Sequence, residues 1–175
     1  MGALIMSARR TLHPGPPRAD RVAVAVAARP RRALVWLPEG QFLHNALVSA
    51  FARFGVRSGI LQLLGGELSA AVYHVAAPTD DSMRAAEYGP PIKIEGGATV
   101  MRATGSYGED LSGLPLLHIH GVLADRNGRA HGGHISPTTC VVGRGGVRAI
   151  LMLTVGFKQA VDRETRYSLL FPYSE

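Results

Sequence analysis

Two periodicities divide the chain. Between residues 41 and 55 the apolar positions Phe42, Ala46, Leu47, Ala50, Phe51 and Phe54 recur at helical spacing, and Gly55 stands where a helix C-cap is expected. His44 falls away from the centre of that stripe and reads as a half-exposed helix histidine. Ahead of the helix, residues 32–37 alternate into a first strand closed by Pro38-Glu39-Gly40. Beyond Gly55 short apolar runs are divided by Gly, Pro, Asn and Asp, and residues 60–64, 68–75, 92–94, 99–107, 116–124, 130–135, 139–142, 147–157 and 167–171 read as strands. One helix with so many strands predicts an α+β fold, an antiparallel, barrel-like β-sheet packed against one main α-helix. Residues 77–91, with Pro78, Asp80, Asp81, Pro90 and Pro91, read as a connecting loop, and Thr104-Gly105-Ser106 as a strand-end turn.

Composition narrows the setting. With 175 residues, 46% of them hydrophobic, the chain can bury a sizeable core in one domain without disulfides or a structural metal. The single cysteine, Cys140, excludes an intrachain disulfide, fits a reducing cytoplasm, and reads as a small buried residue of a strand. No apolar stretch approaches the roughly 20 residues of a membrane span, and the opening patch Leu4-Ile5-Met6 is too short for a secretory core.

Charge is concentrated at one end. Residues 1–32 hold seven arginines against Asp20 alone, so the net charge of +6 resides there and the remainder is balanced. The division is therefore a flexible basic N-terminal extension, residues 1–32, ahead of a neutral domain, residues 33–175. A folded DNA-binding surface would itself be basic, so only the extension, through Arg29, Arg31 and Arg32, offers phosphate contacts.

The candidate chemistry lies in Leu116-Leu117-His118-Ile119-His120-Gly121 and, after an Asn127-Gly128 turn, His131-Gly132-Gly133-His134. Alternation puts His118 and His120 on one strand face, and a hairpin can return a third imidazole beside them. With Asn127-Gly128 at the centre of a two-residue turn, His131 would share that face and His134 would point away. A bulge at Gly132-Gly133 shifts the parity and brings His134 in instead; two consecutive glycines favour the bulge. Three imidazoles with an open fourth position match the donor set of catalytic-type zinc. The ligands must be neutral, so affinity should fall below about pH 6.5.

Other signals are weaker. Glu109 and Asp110 read as solvated loop residues, and Asp125 as a turn-stabilising carboxylate. There is no phosphate loop, nucleophile elbow, dinucleotide fingerprint or Cys-x-x-Cys pair.

The succession of Pro38-Glu39-Gly40, Phe51-Ala52-Arg53-Phe54-Gly55-Val56, Gly65-Gly66-Glu67-Leu68, His118-Ile119-His120, Asp125-Arg126-Asn127-Gly128 and Gly132-Gly133-His134 resembles the plants and prokaryotes conserved (PPC) domain, over residues 33–172. In plants that domain follows AT-hooks; bacterial stand-alone members are often labelled predicted DNA-binding proteins. The resemblance implies a homotrimer with a divalent metal, zinc, at His118, His120 and His134, leaving His131 aside. No AT-hook is present here. The function expected is that of a PPC-type DNA-associated or regulatory module with a three-histidine pocket able to take a small ligand, and more a binding protein than an enzyme. The alternatives are a metal-dependent enzyme and a cupin-like small-molecule binder using the same histidines, although the latter has Asp125 where a glutamate is expected.

Overall fold

The computed structural model describes residues 13–19, 22–27, 29–78, 86–153 and 156–173. The opening patch Leu4-Ile5-Met6, and Asp80 and Asp81 of the expected loop, lie outside those residues.

The chain enters by β1 (Arg31–Leu37) and turns into the single described helix, α1 (Leu43–Ala52). Phe42, at the head of α1, provides no side-chain cap. The orphan amides there are satisfied by main chain instead, Leu43 N–H donating to the Cys140 carbonyl and His44 N–H to that of Pro137, each at 2.9 Å. The helix buries Leu43, Ala46, Leu47, Ala50 and Phe51, as its period predicts. Phe51 packs on the sheet, its ring centroid 4.7 Å from that of Tyr107. His44 is half-buried, its Nε2 3.4 Å from the Pro115 carbonyl.

The remaining elements are β2 (Gly59–His74), β3 (Ala76–Pro78), β4 (Ala86–Tyr88), β5 (Ile92–Ile94), β6 (Ala98–Glu109), β7 (Pro115–Ala124), β8 (Ala130–Ile135), β9 (Val141–Leu153), β10 (Gly156–Val161) and β11 (Ser168–Tyr173). A nine-stranded sheet runs β1-β9-β2-β8-β7-β6-β10-β11, with β5 on β2, while β3 and β4 pair separately. The architecture is mostly β with one helix, but two expectations change. The sheet is mixed, because β10 pairs parallel to β6 through Lys158 and Glu109. It is also more than a barrel-like sheet: β2, β8, β7 and β6 pair in a circuit, and the sheet continues from it outward to β1 at one end and β11 at the other.

Runs separated by glycine merge. The expected strands 60–64 and 68–75 are, except for Val75, one strand, whose register against β9 shifts between Leu63 and Gly65, Gly66 and Leu68, and Leu68 and Ala70. These irregularities bend β2 without ending it, so that its first half lies between β9 and β6 and its tip reaches β5 and β8. Likewise β9 takes in residues 141–142 of the expected strand 139–142 and residues 147–153 of the expected strand 147–157, whose last two residues, 156 and 157, open β10 instead. Cys140 is buried but lies just before that strand, its Sγ 3.3 Å from Val72 N. The expected loop 77–91 contains part of the small β3–β4 hairpin, which delivers Tyr88.

The N-terminal segment touches the β10–β11 turn. Asp162 and Glu164 there are 5% and 6% exposed. Glu164 accepts from Arg18 N–H at 2.9 Å and lies 2.9 Å from His13 Nδ1, while Arg18 sits 3.5 Å from Asp162 Oδ1 and over the Phe171 ring. Gly15 N–H donates to the Glu164 carbonyl at 2.9 Å, and a Cβ on Gly15 would collide with the Arg163 carbonyl. Gly15→Val should therefore undock the segment and cost about 1 kcal/mol, a melting temperature lower by about 2–4 °C in a chain of this size. A thermal melt unchanged by Gly15→Val would show that the contact contributes nothing.

Candidate metal centre

The β7–β8 hairpin builds the site. The pair closes at Ala124 opposite Ala130, leaving a loop of residues 125–129 in which Gly128 adopts φ +78. Asp125 organises it: Oδ1 accepts Asn127 N–H and Arg129 N–H at 2.9 Å each, and the Asp125 main chain is bonded to both Arg129 and Gly128. The odd residue count in this loop places His134 directly opposite His120, without any register shift along β8. His134 thus joins His118 and His120, but the bulge expected at Gly132-Gly133 does not exist; the parity change occurs in the turn. Gly133 has another purpose. A Cβ there would strike the His74 carbonyl, so the glycine permits β2 to close on β8.

His131 pairs with Leu123 and takes the other face. Its Nδ1 is 3.2 Å from Tyr73 Oη on β2 and its Nε2 3.1 Å from Asp125 Oδ2, so one ring nitrogen faces β2 and the other the hairpin's own turn. The bond to His131, with the amides of Arg129 and Asn127, holds the Asp125 carboxyl below the usual carboxylate range. Glu109 and Asp110 stay away from the site: Asp110 Oδ1 accepts Ser112 and Leu114 amides at 2.8 Å, and Glu109 faces Arg57 at 3.7 Å.

The three remaining rings converge. One ligand-capable nitrogen from each of His118, His120 and His134 lies within 4.8 Å of the others. The Nε2 atoms of His118 and His120 are 3.1 Å apart, one N–H donating to the other nitrogen. Ring centroids are separated by 4.9 Å (His118–His120), 4.9 Å (His118–His134) and 5.2 Å (His120–His134). Three imidazoles bound to one tetrahedral ion at the ordinary Zn–N distance of about 2.0–2.1 Å would have centroids about 5 Å apart. His134 Nδ1 is buried and has no hydrogen-bond partner among the described residues. Such a nitrogen loses its hydration with nothing in return, which an ion or its ligand would supply. The donor set and spacing therefore fit a borderline-soft divalent cation.

Electrostatics agree. Burial, then the neighbouring His120, lowers the His118 pKa. His134 is pushed down to about 4, first by burial and then by His118, His120 and His74. Both rings are thus held neutral, the form that ligates, at pH 7.

Thr104, Gly105 and Ser106 do not form a turn. They lie within β6, opposite His120, Ile119 and His118, so the two hydroxyl residues share the face of the cluster. Beside His120 a hollow of about 410 Å³ is lined by Arg102, Thr104, Val122 and Gly133. Sequence reasoning also missed His74 and Tyr88. His74 is paired with His134, and the Tyr88 ring lies 4.8 Å from that of His134. No motif marks either residue, because β2 and β4 reach the hairpin through long-range contacts.

The family model described as the Plants and Prokaryotes Conserved (PCC) domain matches residues 26–150. The chain belongs to this family. Among solved structures the PCC chain is similar to a metal-containing protein from Archaeoglobus fulgidus, with TM-score 0.63, 16% identity, and coverage of 87% of this chain and 99% of that one. It is similar to a plant- and prokaryote-conserved (PPC) protein from Pyrococcus horikoshii, with TM-score 0.58, 18% identity, and coverage of 90% and 98%. It is also similar to a protein from Ralstonia eutropha JMP134 named as a putative DNA-binding protein, with TM-score 0.61, 19% identity, and coverage of 78% and 88%. These likenesses show a common PCC fold. No curated protein matches the chain.

The depressed His134 pKa sets a pH dependence. Between the unfolded value of about 6.5 and the folded value of about 4 the unfolded chain binds the extra proton, so metal-free protein should lose stability as pH falls through that window. Denaturant midpoints of metal-free protein from pH 7 to 4.5 should fall, and less steeply in His134→Phe; equal slopes would remove His134 as the cause.

Proposed function

We propose that this PCC-domain chain is a cytoplasmic, homotrimeric, DNA-associated regulatory protein whose three-histidine pocket holds a divalent ion, zinc by its donor set. The observation that carries the metal reading is the convergence of His118, His120 and His134, with a buried His134 nitrogen that has no hydrogen-bond partner among the described residues. Three protein donors leave one position of a tetrahedral ion open, where a bound ion would act as a Lewis acid or a docking point. The open hollow lies against His120, one of the three candidate ligands, which keeps a ligand-sensing or catalytic use of the same histidines as the second reading. A neighbour named as metal-containing lends support from the same fold.

The DNA reading rests on the extension, residues 1–32, and on solved neighbours from Ralstonia eutropha and Bacteroides thetaiotaomicron that carry putative DNA-binding names. Arg29, Arg31 and Arg32 are exposed, and the Arg31 guanidinium lies 3.4 Å from the Phe54 carbonyl. Contacts of this kind grip phosphates without reading bases. No described helix is long and apolar enough to cross a membrane.

Metal analysis tests the first part. Wild-type protein should carry about one ion per chain, the His118→Ala/His120→Ala double variant and His134→Ala should lose it, and His131→Ala should keep it. Full retention in His118→Ala/His120→Ala would remove the ligand assignment. For DNA, binding should be sequence-indifferent and salt-dependent, and each of Arg29→Ala, Arg31→Ala and Arg32→Ala should lower the salt slope by about 1. A slope indifferent to all three would place any DNA contact elsewhere.

A further inference from the structure

His74 is a fourth imidazole beside the cluster. It lies at the end of β2 directly opposite His134, which is opposite His120, which is opposite Thr104, so that one row crosses four strands. Residues directly opposite one another in a sheet share a face. The His74 ring centroid is 6.3 Å from that of His134, outside the 4.9–5.2 Å spacing of the three candidate ligands, and 6.1 Å from that of Tyr88. Its Nδ1 is 3.0 Å from the Gly89 carbonyl oxygen. A carbonyl can only accept, so Nδ1 carries the proton and neutral His74 keeps Nε2 as a lone pair. Among the described residues nothing donates to that Nε2. The bond to main chain fixes the ring, so that its Nε2 is held in one orientation.

Resting on the metal reading above, we propose that His74 is a positioning residue whose Nε2 accepts a hydrogen bond from a protic molecule held at the open position of the ion. The site then favours ligands that bring a proton, such as water, alcohols or protonated oxygen acids, over bare anions. Tyr88, with its ring beside both His74 and His134, walls the same side.

The experiment is an azide titration of full-length protein loaded with Co²⁺, read by visible absorption, with cobalt content measured alongside. His74→Asn can still reach the Gly89 carbonyl but offers no acceptor at the Nε2 position; His74→Gln places an amide there. Wild type and both variants should bind equal cobalt, and His74→Asn should bind azide about five- to tenfold more tightly, because competing water has lost its acceptor. His74→Gln should stay near wild type. Unchanged azide affinity in His74→Asn would overturn the proposal and leave the three-histidine site standing. Cobalt lost from His74→Asn as completely as from His134→Ala would also overturn it, making His74 a ligand or a strut. Failure of the wild type to take up cobalt would overturn the metal reading itself, and this inference with it.

Discussion

Side-chain parity across the β7–β8 hairpin is the constraint on which the site depends. A strand has a period of two, so one residue more or fewer in the connecting loop decides whether His134 meets His118 and His120 or turns its back on them. The loop 125–129 fixes that choice through Asp125, whose carboxylate collects two loop amides and a contact from His131. The third histidine of the motif is thus part of the device that aims the other three, since the Asp125–His131 contact sits on the opposite face of the same hairpin.

The rest of the fold supports this hairpin from both sides. β6 lies along β7 for ten paired positions and sets Thr104 and Ser106 beside the imidazoles. The bent tip of β2 closes on β8 because Gly133 lets the His74 carbonyl through. The helix carries none of the three histidines; its Phe51–Tyr107 contact ties it to the start of β2 and the end of β6. A cluster carried on two paired strands, β7 and β8, and flanked by β6 and β2 needs little reorganisation to receive an ion, which favours binding by lowering its ordering cost.

Much of this was legible in the chain and some was not. The helix was readable because Ala46, Leu47, Ala50 and Phe51 follow a local period, and His118 with His120 because alternation is local too. That His134 joins them was legible; the place where parity changes was not, since Gly132-Gly133 advertises a bulge while the turn makes the shift at Gly128. Gly65-Gly66 looked like a strand break and is a bend in β2, because pairing to β9 resumes on either side. The parallel β10–β6 contact and the placing of His74 and Tyr88 depend on segments far apart in sequence, whose pairing no local pattern announces.

The contact between residues 13–18 and the β10–β11 turn changes what the arginines near the domain can be. Arg18 is anchored on that turn and Arg31 opens β1, so Arg29 lies in sequence between two fixed points. A polyanion seizing such a span immobilises a chain whose freedom is already curtailed, and forfeits less entropy than it would with a loose tail. The same tether limits reach, confining any captured duplex to the immediate neighbourhood of the domain's outer edge.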